Sequence, residues 1–207
     1  VYYPAAKPAG EYLERRLGQK LLYLPSSFDY REIRRCITAL KNEFKLSEFD
    51  FKSAEKRCEN ALFRLSDVIG NTAVAIDYTA VPRPFELAKL LTEHGINVTR
   101  IYADSISGED KDAFLYLQKN APEIMLFPTV NVMMPLVPHS APEKVLAIGQ
   151  KAAYFTGTDN FVNIIEGGGH WGYDGIIRLC AEAEDAFLHK KDAKTIIQVK
   201  GWGCSCC

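Results

Sequence analysis

Three residues that could carry chemistry stand in loops that directly follow predicted strands: the cations Arg83, after residues 72–77, and Lys151, after 144–148, which could hold an anion, and His170, after 161–165, which could ligate a metal or move protons. In a parallel sheet the loops that follow strands converge at one edge, where ligands collect. Guanidinium and ammonium groups pair with carboxylates or with the sulfides of a metal cluster, and glycine amides add donors. The spacing therefore predicts that Arg83, Lys151 and His170 cluster beside the glycine loop that holds Gly168 and Gly169. The plainer alternative is that Arg83 braces its own loop, Lys151 is solvated and His170 is an ordinary surface residue.

The glycine loop itself, EGGGHWGY at residues 166–173, precedes a predicted helix, so its amides can face an anion. It matches neither the Walker phosphate loop nor the spaced dinucleotide fingerprint, and a tight structural turn explains it as well. No His, Cys and carboxylate grouping has a zinc spacing, and neither a nucleophile elbow nor H-E-x-x-H occurs, so classical hydrolase chemistry is unsupported. The six cysteines divide by position. Cys36, Cys58 and Cys180 fall on apolar helix faces, where a small buried thiol is the plain reading. Cys204, Cys206 and Cys207 crowd the C-terminal end, one thiolate short of a closed tetrathiolate site, so they would hold metal only together with a partner chain. No metal is expected on the isolated chain.

Composition narrows the class. The 207 residues carry 47% hydrophobic and 25% charged side chains, which suits a well-packed α/β protein. Lys and Arg number 25 against 26 acids, and a net charge of -1 gives no electrostatic case for nucleic acid or an anionic membrane. With no apolar run long enough for a membrane helix and no signal-peptide pattern at Val1, the expected location is cytoplasmic. The opening VYYPAAKPAG lacks a Met and reads as the middle of a longer chain.

The elements that must position these residues alternate. Helices are predicted at 8–17, after the Asp29 and Glu32 capping pair, and at 51–69, where Ala54, Cys58, Ala61, Leu62, Leu65 and Ile69 form one stripe. A short strand is expected at 20–24. From Thr72 onward the order is strand (72–77), loop, helix (84–94), strand (97–102), helix (109–120), strand (124–127), a proline-rich connection, strand (144–148), strand (161–165) and a last helix from Asp174. This predicts a Rossmann-like doubly wound parallel sheet of four or five strands, preceded by a partial second α/β unit: residues 1–47 as the end of a middle domain, 48–71 as a linking helix and 72–207 as the C-terminal domain with its Cys-rich tail.

At VPRPFELAKLLTEHGINV, AIGQKAAYFTGT and GGGHWGYDGIIRL the chain resembles the component 1 subunits of nitrogenase and their relatives in cofactor assembly and tetrapyrrole reduction. The resemblance spans essentially the whole chain, in the order and spacing of the segments, and covers roughly the C-terminal half of such a subunit. It implies that the Arg83-Pro84 pair lies beside an iron-sulfur or related metal cluster, or a tetrapyrrole, and that Gln150-Lys151 lies near an organic acid on such a cluster. The family's flanking glycines fall at Ala80 and Val81 here. The cysteine and histidine that anchor the cluster of true nitrogenase would align near Tyr2 and within 162–167, where neither is present, so the chain is not a molybdenum nitrogenase subunit. The resemblance implies an oxidoreductase component that binds an anionic cluster or tetrapyrrole in an interdomain cleft. A related component 1 subunit would be its partner, and an ATP-dependent iron-sulfur reductase would supply electrons. The rival is a non-catalytic scaffold that carries or assembles a cofactor, or a small-molecule-binding module.

Overall fold

The computed structural model describes residues 1–192 except Tyr3, Pro138, His139 and Pro142, so the Cys204, Cys206 and Cys207 tail lies outside the described residues. Five parallel strands form the sheet: β1 (Ala73–Asp77), β2 (Val98–Tyr102), β3 (Met125–Phe127), β4 (Val145–Ile148) and β5 (Phe161–Val162). Their spatial order is β3-β2-β1-β4-β5, so the direction of winding reverses between β1 and β4. The central strands read as continuous apolar runs because both faces are covered, and every residue of β1 and β4 is buried.

Helices α1 (Lys7–Leu17), α2 (Tyr30–Phe44) and α3 (Phe51–Ile69) precede the sheet, and each is bounded by its own sequence. Asp29 accepts from the amides of Arg31 and Glu32 to cap α2, and Asp50 accepts from Ser53 N to cap α3. The predicted α3 stripe is buried at Ala54, Cys58, Leu62, Leu65 and Ile69. It packs on α7 (Gly172–Leu188), which returns from β5. With α4 (Pro84–Glu93) and α5 (Lys111–Asn120) these helices cover one sheet face, where Val74, Ile76, Ile101, Leu146, Ile148 and Val162 join a core that also takes Phe28 and Ile33.

The opposite face is covered by α6 (Gln150–Thr156) and the connection after β3, so helices lie on both sides of the sheet. Ala73, Ala75 and Ala147 on the strands meet Ala152 and Ala153 on α6, and these small residues let helix and sheet approach closely. Three local expectations are corrected. Residues 20–24 do not form a strand of the sheet; they pair with the chain start, Val1 N donating to Leu22 O at 2.9 Å and Leu24 N to Val1 O at 2.8 Å. The run expected as a strand at 161–165 stops at Val162, and α6 lies where no helix was expected.

Candidate functional site

The reversal between β1 and β4 is where an open α/β sheet parts its strand ends, and here Asp77 fills it. This last residue of β1 is fully buried and accepts from Thr79 N (2.9 Å), Thr79 Oγ1 (2.5 Å), Ala80 N (3.0 Å) and Ala152 N (2.9 Å). Burial pushes its carboxyl pKa up, against the pull of those bonds. Gly149, at φ 110°, makes room for it: a Cβ there would stand 2.6 Å from Asp77 Cγ. The first turn of α6 is thus capped by a protein carboxylate.

One step away at the same edge, four strand ends contribute one polar group. Tyr78 follows β1, Asp104 follows β2, Thr129 follows β3 and Lys151 follows β4. Lys151 Nζ donates to Tyr78 Oη at 2.8 Å and to Thr129 Oγ1 at 3.4 Å, and lies 4.5 Å from the centre of the Tyr78 ring. Asp104 accepts from Thr129 Oγ1 at 2.9–3.0 Å and from Val130 N at 3.0 Å. Burial works to raise the Asp104 pKa, but the bonds from Thr129 and Val130, aided by the Tyr78 hydroxyl, lower it overall and keep the carboxylate charged. No carboxylate among the described residues comes within ion-pair distance of Lys151. Beside it, Gln150 Nε2 donates to Asn163 Oδ1 at 2.5 Å.

Arg83 has a different setting. It is 3% exposed, and its guanidinium meets Glu32, Glu86 (3.1 Å) and Glu109 (3.4 Å), so three carboxylates already match its single charge. Burial disfavours the Arg83 cation, but Glu86, Glu32 and Glu109 outweigh it and hold the guanidinium protonated. Its Nε is buried without a hydrogen-bond partner. Glu86 is further tied to Ser27 Oγ (2.9 Å) and Phe28 N (2.6 Å). Asp110 caps α4 by accepting from Phe85 N (3.0 Å) and Glu86 N (2.8 Å), and burial pushes its pKa up to about 6.

The glycine loop spends its amides internally. Residues 166–169 all take positive φ, and the amides of Glu166 and Gly167 donate to Thr79 O and Ala80 O at 2.8 Å, which straps the loop to the turn after β1. Gly168 N donates to Ile165 O and His170 N to Gly167 O. His170 is buried, its Nδ1 3.0 Å from Gly167 O; Nε2 lies 3.2 Å from Glu182 Oε2 but off the alignment of a hydrogen bond. Arg83, Lys151 and His170 thus each hold a separate set of partners. Tyr78, Asp104 and Thr129 escaped the sequence reading as site residues, although each is a polar residue following a predicted strand. Their signal was position, and only strand order could say which of those loops meet.

Neither a family model nor a curated protein sequence matches the chain. Among solved structures, one described as "Nitrogenase Cp1 at pH 6.5" superimposes with a TM-score of 0.54 at 15% sequence identity, over 94% of this chain and 44% of that one. The chain therefore has a nitrogenase component 1-like fold and spans less than half the length of that protein.

Proposed function

We propose that the chain is part of a nitrogenase-like oxidoreductase component that binds an anionic, carboxylate-bearing ligand at the carboxyl edge of its sheet, with Lys151 as the anion contact. The observation that carries this reading is that Lys151 is held by two hydroxyls and has no ion-paired carboxylate among the described residues. A partly exposed ammonium so arranged keeps a charge for a ligand. The ligand class is the carboxylate of a tetrapyrrole or of an organic acid on a metal cluster. Among the described residues no group of three or more His, Cys, Asp and Glu is placed to hold a metal ion. Gln150, next in the chain, would line the same edge, whereas Arg83, His170 and the loop of glycines 168 and 169 have other partners.

Unburied apolar surface supports partners. Tyr12, Leu13 and Leu17 on α1 are 54%, 42% and 64% exposed, and Phe44 at the end of α2 is 63% exposed, in a chain that covers 44% of its structural neighbour. A related component 1 subunit would cover such faces, and an ATP-dependent iron-sulfur reductase would deliver electrons to the assembly, in the cytoplasm. No helix among the described residues is long and apolar enough to cross a membrane. The second reading, a cofactor-carrying scaffold, is favoured by the absorption of the Arg83 charge by three carboxylates.

The test is anaerobic titration of the purified chain with protoporphyrin IX and with citrate, in the wild type and in Lys151→Ala. A lost charge-assisted contact should cost about 1.5–3 kcal/mol, roughly 10- to 100-fold in affinity. Equal affinity in the two proteins, or no binding by either, refutes the reading.

A further inference from the structure

We propose that Tyr78 and Thr129 are positioning residues that hold the Lys151 ammonium off Asp104, so that its charge stays free for a carboxylate ligand; this rests on the reading of Lys151 given above. The geometry is that of an interrupted ion pair. Thr129 Oγ1 stands between the two charges, 2.9 and 3.0 Å from the Asp104 oxygens and 3.4 Å from Lys151 Nζ. A hydroxyl has one proton and two acceptor sites. It donates toward Asp104 and accepts from Lys151, and so it replaces a direct contact with a bridged one. Tyr78 Oη takes the shorter bond from Lys151, at 2.8 Å, and its hydroxyl also helps to stabilise the Asp104 carboxylate, so it too stands between the two charges. Val130 N holds Asp104 Oδ1 at 3.0 Å, which keeps that carboxylate from swinging toward Lys151.

Donor counting gives the consequence. An ammonium has three N–H donors. The two hydroxyls occupy two, leaving one donor and an unneutralised charge. Without those hydroxyls, the charged Asp104, which Thr129 otherwise bridges to Lys151, is an acceptor the ammonium can turn to, and opposite charges at contact distance attract far more strongly than separated ones. The ammonium then closes on Asp104, all of its charge is matched within the protein, and a ligand carboxylate must compete with a tethered one. The two hydroxyls therefore decide whether the edge is an anion site or an internal salt bridge.

The experiment has one readout that needs no ligand and one that does. Acetic anhydride labelling of Lys151, followed by peptide mass spectrometry, reports whether its amine is locked in a salt bridge. Tyr78→Phe with Thr129→Val should slow labelling at least tenfold, and adding Asp104→Asn should return it to within about twofold of wild type. The Asp104→Asn rescue distinguishes positioning from general damage, since a loosened structure would label faster and would not respond to that change. Should the double variant fail to fold, Tyr78→Phe alone, with and without Asp104→Asn, carries the same directional expectation.

In the second readout, citrate and protoporphyrin IX are titrated against the same proteins, and affinity should fall and recover in parallel with labelling. Response to citrate alone assigns the carboxylate to a small organic acid, and response to the porphyrin alone assigns it to a tetrapyrrole. Unchanged labelling in the double variant, or slowed labelling that Asp104→Asn does not relieve, overturns the inference whatever the ligand does. A labelling pattern as expected with no Lys151-dependent binding of either probe overturns the functional reading and leaves the positioning of Lys151 standing.

Discussion

Gly149→Ala tests whether the edge of the sheet is organised around Asp77. Gly149 has φ 110° and ψ 160°, a backbone conformation that an alanine adopts only with strain of roughly 1–3 kcal/mol. Its new Cβ would meet Asp77 Cγ at 2.6 Å and Ala80 Cβ at 2.8 Å, distances at which something must move. Neither neighbour moves freely, because Ala80 is fully buried and Asp77 is fixed by four donors from three residues. Overpacking at such a place typically adds another 1–3 kcal/mol, so the substitution should destabilise by about 4 kcal/mol in total. That is a large part of the 5–15 kcal/mol expected for a domain. Urea unfolding followed by far-ultraviolet circular dichroism measures the loss as a shift in midpoint. Repeating it in an Asp77→Ala background removes half the clash, so the two substitutions should be non-additive by roughly 1–2 kcal/mol. A loss under about 1 kcal/mol, or strict additivity, would refute the close fit of Gly149 over the carboxylate.

Asp110 should make stability depend on acid pH. Its folded pKa of about 6 lies above the usual 3.8, so the stabilisation it contributes is full below the lower value and disappears as pH rises through the higher one. Two pK units correspond to roughly 3 kcal/mol; wild type should lose stability relative to Asp110→Asn between about pH 4 and pH 6, seen in melts across that window, and parallel curves would contradict this. Arg83→Met strands Glu32, Glu86 and Glu109 and should cost about 3–5 kcal/mol in urea unfolding, with part regained on adding Glu86→Gln; a loss below about 1 kcal/mol counts against the acid cluster. Cys58 and Cys180 are buried with pKa values pushed up to about 12, so iodoacetamide at neutral pH should leave both unmodified in the native protein and modify both in urea; native labelling of either would show that the α3–α7 seam opens.

The local elements were written in the sequence. Asp29 announces α2 through short-range bonds to amides two and three residues ahead, and the apolar stripe from Ala54 to Ile69 states which face of α3 is buried. The alternation after Thr72 likewise fixes the parallel sheet, because strand and helix periodicities and short connections are local quantities. The helix α6 was not legible: its seven residues have no side-chain cap of their own, and the acceptor for Ala152 N is Asp77, a separation of 75 positions. The chemistry of the two cations was decided the same way. Arg83 and Lys151 look alike as basic residues after strands, yet Glu32 reaches Arg83 across 51 positions while Lys151 receives hydroxyls from Tyr78 and Thr129, 73 and 22 positions away. Whether a charge is matched or free depends on which groups lie within a few ångströms of it, and for residues this far apart in the chain only the strand order and the packing of helices set those distances.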